Sequence, residues 1–156
     1  MKLSEKTIAL LKNFSSINQS ILFKKGNVLR TMSVMKNILA EVDIEECFPQ
    51  DFAIYDLVQF LNGISLYSDP DLDFENESHL TISEGKNHRT KYFFADPSVI
   101  VAPPEKSLTL PSEDVSFTID TNNLTQLLKA AAIYQLSDLS VVGSNGAVKL
   151  VVRDKK

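Results

Sequence analysis

Residues 57–64 read LVQFLNGI, and the apolar side chains of this stretch fall on one side of a helix. The apolar positions are Leu57, Phe60, Leu61 and Ile64. The pattern returns 67 residues later at Leu124, Leu127, Leu128 and Ala131, and a weaker copy lies 50 residues earlier at Thr7, Leu10, Leu11 and Phe14. Repeated units that cannot bury their own apolar faces must stack on neighbours. The repetition therefore predicts an assembly rather than an enzyme built around a pocket.

Composition and charge are those of an ordinary globular protein. The chain has 156 residues, 44% hydrophobic and 23% charged, which suits one or two small domains. Its net charge of −4 argues against a simple basic nucleic-acid binder but allows local basic patches. The single cysteine, Cys47, excludes an intramolecular disulfide and suits a reducing compartment. No apolar run approaches the ~18 residues that span a bilayer.

Three helices are predicted, and each is followed by a hairpin. Ser4 is the expected N-cap of helix one, while helices two and three span roughly residues 56–65 and 121–134. The hairpins join strands 21–23 and 28–31, strands 72–74 and 79–83, and strands 139–142 and 147–152. Further strands are predicted at 38–42, 52–55, 90–94 and 115–119. The repeated unit is thus β-α-β-β-β, with mostly antiparallel strands.

The chain is predicted to contain one full domain and part of another. Residues 1–100 hold two half-domains, and residues 101–112 form an extended connector because its prolines remove backbone donors. Residues 113–156 form the first half of a second domain, incomplete because its last strand is missing. A sheet that ended there would expose a pairing edge, so we expect the chain to be a fragment.

Four stretches resemble the DNA polymerase sliding clamp (processivity factor) of T-even-type bacteriophages. They are residues 2–4 with 9–14, residues 53–57 with 60–61, the run ADPSV at 95–99 followed by VAP at 101–103, and Leu124 with 126–129. The resemblance covers nearly the whole chain, and order and spacing agree. It implies an α+β sliding-clamp (DNA clamp) fold, in which antiparallel sheets lie outside and helices line the hole of a ring. It also implies a protein that is not an enzyme and needs no cofactor or metal.

The resemblance implies several partners. Full-length subunits close head to tail into a homotrimer around double-stranded DNA, without sequence preference. The ring tethers the C-terminal peptide of the DNA polymerase, is opened by a clamp-loader ATPase and serves late-transcription factors, all in the cytoplasm of the infected bacterial host. A chain with only three half-domains would lack much of one ring-closing interface. We therefore expect this chain alone to be monomeric or weakly associated.

A sliding clamp holds DNA without reading its bases, so scattered cations that face phosphates are sufficient. The candidates are Lys2, Lys6 and Lys12 on helix one and Lys129 on helix three, whereas helix two offers no basic residue. The alternative is that each lysine only solvates an exposed helix face.

Acidic side chains alternate along the predicted strand that follows helix two. They are Asp69, Asp71, Asp73, Glu75 and Glu77. An outward acidic face would repel DNA from the outer surface and favour the hole. A calcium-binding loop starting at Asp69 is excluded, because Phe74 and Leu80 occupy the positions that require glycine and glutamate.

Partner binding is expected at the connector. The candidates for a partner-peptide groove are Val99, Ile100, Val101, Pro103, Leu108 and Leu110. An exposed apolar patch rimmed by charge suits a peptide, whereas the alternative is a connector merely packed on the sheets. Cys47, His79 and His88 lack an activating motif or a metal-binding pattern, which argues against an enzyme. A monomeric clamp-fold interaction module that does not encircle DNA remains the alternative function.

Overall fold

The computed structural model of the protein describes residues 1–106, 112, 116–144 and 146–154. The chain divides into two compact units, Met1–Ser107 and Leu108–Lys156. The division falls within the predicted connector.

All three predicted helices are present. Helix α1 spans Glu5–Ile17, α2 spans Leu57–Ile64 and α3 spans Thr121–Tyr134. The predicted cap Ser4 is confirmed, since its Oγ accepts a hydrogen bond from the Thr7 backbone N–H at 3.2 Å. Asp56 and Asp120 cap α2 and α3 in the same way. A short 3₁₀ helix, Pro97–Val99, lies just ahead of the connector.

The sheets of the described residues are small and antiparallel. The strands of the first unit are β1 (Ile21–Phe23), β2 (Gly26–Met32), β3 (Leu39–Phe48), β4 (Phe52–Ile54), β5 (Asp71–Asp73), β6 (His79–Glu84) and β7 (His88–Phe93). The second unit contributes β8 (Asp138–Ser144) and β9 (Ala147–Arg153). The pairs are β1–β4, β2–β3, β5–β6, β6–β7 and β8–β9. The predicted hairpins β5–β6 and β8–β9 are confirmed.

The first predicted hairpin is wrong, because β1 pairs with β4 instead of β2. Phe23 lies opposite Phe52, and their rings stack with centroids 4.4 Å apart. The Asp51 carboxylate accepts hydrogen bonds from Lys24 Nζ at 2.8 Å and from the Lys25 backbone N–H at 2.7 Å. These contacts draw the end of β1 to the start of β4, while β2 pairs with the longer β3. Burial of these aromatic rings thus stabilises the β1–β4 pairing more than the polar turn after β1 stabilises the predicted hairpin.

Two other predicted strands differ from the structure. Residues 116–120 form no strand, and Val115 lies outside the described residues. The acidic strand is confined to Asp71–Asp73, because Asp73 Oδ1 accepts a hydrogen bond from the Glu75 backbone N–H at 2.9 Å and turns the chain. The acidic face expected from residue 69 to residue 77 is therefore a short strand with loops on both sides.

The core of the first unit is built from the repeated apolar positions. Helix α2 buries all four of its predicted residues, and α1 buries three of the four positions located 50 residues earlier, Thr7, Leu11 and Phe14. The two helices contact each other, and a cluster of aromatic rings joins the strands beneath them. The members of this aromatic cluster are Phe23, Phe48, Phe52, Phe74 and Phe94. The repeat seen in the sequence is thus a repeat of buried surface.

The second unit packs less apolar surface. Helix α3 contacts β9, but none of its residues is fully buried. Leu128 is 50% exposed, and the other repeat positions, Leu124, Leu127 and Ala131, are half-buried. Ile133 and Tyr134 are each 73% exposed. The spacing thus predicted the helix correctly, whereas its apolar face is only partly covered within this unit.

Candidate DNA-facing and partner-binding surfaces

The exposed faces of α1 and α2 are mostly polar, with Val58 the exposed apolar side chain of α2. Helix α1 exposes Lys6, Lys12 and Asn13, and α2 exposes Gln59 and Asn62. Because the opposite faces of both helices are buried in the core, these polar faces point to solvent. No ion pair or hydrogen bond joins the Lys6 or Lys12 side chain to another residue of the described part. Both ammonium groups are available to an external anion.

Lys2 lies ahead of α1 rather than on it. Its Nζ forms a hydrogen-bonded ion pair with the Asp69 carboxylate. This hydrogen bond is the main reason that the pKa of Lys2 lies above its ordinary value. Because Asp69 compensates the charge, we expect Lys2 to attract phosphate less than Lys6 and Lys12 do.

Lys129 lies on α3 in the second unit, where it is exposed. The sequence prediction that Lys129 occupies a helix surface is therefore confirmed. Its role toward DNA stays a prediction.

A carboxylate from β3 holds the start of α1. Glu46 Oε1 accepts a hydrogen bond from the Ser4 backbone N–H at 2.5 Å, and Oε2 accepts one from Thr7 Oγ1 at 2.7 Å. Burial raises the pKa of Glu46, but the hydrogen bonds outweigh burial and leave the pKa below its ordinary value. The sequence analysis missed Glu46, because its partners lie about 40 residues away along the chain.

The predicted groove residues that the structure describes differ in exposure. Val99 is 56% exposed, whereas Ile100 is buried. The Val101 carbonyl accepts a hydrogen bond from Asn18 Nδ2 at 3.3 Å, which ties the connector to the end of α1. Leu108 and Leu110 lie outside the described residues.

Pro103 lines a cleft of about 250 Å³ between the connector and the strands. Apolar Leu22 and Ala102 line it with Pro103, and its charged residues are Lys24, Arg30 and Glu105. The hydrogen bond with Asp51 is the main reason that the pKa of Lys24 lies above its ordinary value. The cleft thus combines a small apolar surface with two cations and one carboxylate.

Arg30 joins the cleft to the sheet. Its Nη1 donates to the Pro104 carbonyl at 2.8 Å and to the Glu105 carbonyl at 3.2 Å, and its Nε lies 2.7 Å from Glu41 Oε2. Its Nη2 is buried and has no hydrogen-bond partner among the described residues. Arg30 therefore fixes the connector to the sheet. Sequence reasoning had no signal for this role, since the partners are more than 70 residues away.

Cys47 is exposed and lies in another cleft, of about 400 Å³, with Met1, Leu72 and Phe74. In the ranges that the structure describes, no three His, Cys, Asp or Glu side chains are placed to hold a metal ion together. None of the helices described is long and apolar enough to cross a membrane.

Comparison with known proteins identifies the class. Residues 2–102 match a family described as DNA polymerase processivity factor. The match covers nearly all of the first unit, including α1, α2 and the start of the connector. The chain belongs to the DNA polymerase processivity factor family.

Curated relatives narrow the comparison to phage sliding clamps. A sliding clamp of Vibrio phage KVP40 is 32% identical over 155 residues, which are 97% of this chain and 69% of the relative. The sliding clamp of Escherichia phage RB69 is 35% identical over 150 residues, and that of Enterobacteria phage T4 is 34% identical over 151. Each of these two alignments covers 95% of this chain and 64% of the relative. The chain thus aligns with about two thirds of the length of these sliding clamps, and the resemblance noted from the sequence is confirmed.

Proposed function

We propose that this protein is a sliding clamp that encircles duplex DNA and tethers the replicative DNA polymerase for processive synthesis. The observation that carries the proposal is the repeated packing of α1 and α2, which bury equivalent apolar faces and leave mostly polar faces toward solvent. Membership of the processivity-factor family supports the same function.

The exposed lysines suit a surface on which DNA slides. Lys6, Lys12 and Lys129 can attract phosphates at long range without contacting base edges, so the protein would hold DNA and still move along it. The uncharged exposed side chains of α2, Gln59 and Asn62, would add no strong attachment point. Weak, distributed attraction fits sliding better than a few tight contacts.

Charge reversal tests this surface in a full-length, ring-forming version. Changing Lys6, Lys12 and Lys129 to Glu should impair DNA retention and processive synthesis with little loss of packing, because the three side chains are exposed. A control with Lys25, Lys86 and Lys149 changed to Glu carries the same net charge but alters other exposed positions. Retention on circular DNA and product length at low salt are the measurements. Normal processivity of the first variant would refute the DNA-facing assignment.

The polymerase C-terminal peptide is proposed to bind the cleft lined by Pro103 and Arg30. The apolar part of the cleft would take an apolar side chain, and the positive charges of Arg30 and Lys24 would attract a carboxylate of the peptide. Arg30→Met should weaken binding of a labelled polymerase-tail peptide about tenfold or more, because the variant loses a positive charge of the cleft and the hydrogen bonds that hold the connector beside it. Lys86→Met, far along the sequence in the β6–β7 turn, is the control. Fluorescence anisotropy with equal affinities for both variants would contradict the assignment.

The predicted roles of Leu108 and Leu110 in this groove can be tested in the same assay. A single substitution of either residue should weaken binding of the peptide and leave retention on DNA unchanged. Unchanged peptide affinity would show that these residues do not take part in peptide binding.

The remaining partners complete the proposal. Full-length subunits would form a homotrimer, a separate clamp-loader ATPase would open and load it, and late-transcription factors would be further ligands. The protein itself would have no catalytic activity and would act in the cytoplasm of the infected bacterial host.

The second candidate, a monomeric clamp-fold interaction module, is favoured by the exposed apolar face of α3, which a partner other than DNA could cover. Retention of the full-length protein on circular DNA, lost when the DNA is linearised, distinguishes a ring from such a module.

A further inference from the structure

Asn18 caps the end of helix α1 and carries a buried side-chain amide, which is 5% exposed. Its Oδ1 accepts hydrogen bonds from the backbone N–H of Ser20 at 3.0 Å and from Ser20 Oγ at 3.2 Å. Its Nδ2 donates to the Met32 carbonyl at 2.8 Å and to the Val101 carbonyl at 3.3 Å. An asparagine amide has two donors and an oxygen with two lone pairs, so each hydrogen-bonding position of this side chain is filled. The amide therefore favours one arrangement of its partners, because any other would leave a buried polar group unsatisfied.

The carbonyl partners of Asn18 come from distant parts of the chain. Met32 ends β2, and Val101 lies in the connector, 83 residues after Asn18. The connector cannot pair fully with a strand, since Pro103 and Pro104 have no backbone N–H. Side-chain donors from other elements therefore hold its carbonyl groups in place.

The connector is held on both sides of the residues that line the cleft. Asn18 donates to the Val101 carbonyl on one side, and Arg30 Nη1 donates to two carbonyls on the other. Ala102 and Pro103 lie between these two attachment points, and both line the cleft of about 250 Å³. Arg30 lines the cleft itself, whereas Asn18 is not among the described residues that line it. Asn18 can thus affect the cleft only through the connector.

We propose that Asn18 is a positioning residue for the partner-peptide cleft, because its amide fixes the connector so that Ala102 and Pro103 form a preformed wall. The inference rests on the proposed function for the peptide, but the order of the connector can be measured without a peptide. A wall that is already ordered lowers the entropy cost of binding. Loss of the Asn18 amide should therefore loosen the connector and weaken peptide binding.

Asn18→Asp tests this role, because it keeps the size of the side chain and the acceptor for Ser20 but places an oxygen where the donor faces two carbonyls. Nitrogen-15 NMR relaxation measures the order parameters of the Val101 and Ala102 amides. They should be about 0.85 in the original chain, as in rigid backbone, and below about 0.6 in the folded variant. A labelled polymerase-tail peptide should bind the variant about threefold to tenfold more weakly than the original chain.

Two further variants complete the experiment. Asn87→Asp, in the exposed turn between β6 and β7, makes the same charge change and should alter neither measurement. Asn18→Ala removes the amide without adding a charge, and it replaces Asn18→Asp if circular dichroism shows that variant to be unfolded. A purely structural role of Asn18 would lower the stability of the fold but leave both measurements of the folded variant unchanged.

The two measurements separate this inference from the proposed function. Unchanged order parameters in a folded Asn18 variant overturn the inference, and so does an unchanged peptide affinity when the original chain binds the peptide. If the original chain does not bind the peptide, the proposed function of the cleft fails. The order parameters then still decide whether Asn18 positions the connector.

Discussion

Glu46 provides a direct test of how the first helix is attached to the sheet. Its carboxylate accepts hydrogen bonds from the Ser4 backbone N–H and from Thr7 Oγ1, at 2.5 and 2.7 Å. Hydrogen bonds to charged groups contribute about 1.5–3 kcal/mol each, and an amide can still accept one of the two. Glu46→Gln should therefore lower the free energy of unfolding of the first unit by about 1–2 kcal/mol at pH 7. Urea unfolding followed by circular dichroism measures the difference.

The stability difference between the original chain and Glu46→Gln should also depend on pH. The folded-state pKa of Glu46 lies below the ordinary value of 4.5. A carboxyl group with a lowered folded pKa stabilises the protein above its unfolded pKa, and this contribution is lost as pH falls through the folded pKa. The difference between the original chain and Glu46→Gln should thus be constant above about pH 5 and shrink below pH 4.5.

The neighbouring residue supplies the control. Glu45→Gln alters an exposed carboxylate on the other face of β3, so the free energy of unfolding should change by no more than about 0.5 kcal/mol. Equal stabilities of the two variants at pH 7 would refute the reasoning, and so would a Glu46→Gln difference that persists undiminished at low pH.

Four further substitutions probe the packing of the first unit by urea unfolding. Leu57→Ala should lower the free energy of unfolding by about 2–5 kcal/mol because Leu57 is fully buried. Val58→Ala, on the exposed face of α2, should lower it far less. Equal losses would contradict the assignment of the buried face. Gly63→Ala should stabilise α2 by about 0.5–1 kcal/mol, since the added Cβ would lie 3.8 Å from Ile82 Cδ1 in ordinary contact, and a loss of stability would show that this space is absent. Ser4→Ala should cost about 1 kcal/mol through the lost cap, and an unchanged midpoint would exclude that role.

Local features of the chain were predictable from the sequence. The bounds of α2 and α3 agree with the apolar spacing, and Ser4 caps α1 as its residue type indicates. The β5–β6 and β8–β9 hairpins join strands that are close along the chain. These elements depend on helix periodicity, capping and short turns, and such interactions act among neighbouring residues.

The long-range pairings were decided by the tertiary structure. Strand β1 pairs with β4 because Phe23 and Phe52 stack in a buried cluster. Lys2 forms an ion pair with Asp69, which lies 67 residues away along the chain. Arg30 reaches the connector across more than 70 residues, and Ile100 is buried although its neighbour Val99 is exposed. The sequence alone established the three helices and the apolar spacing that they share, since periodicity records which face of an element is buried. The partner of a given side chain depends on how the helices and strands of the first unit pack, and no local pattern encodes that choice.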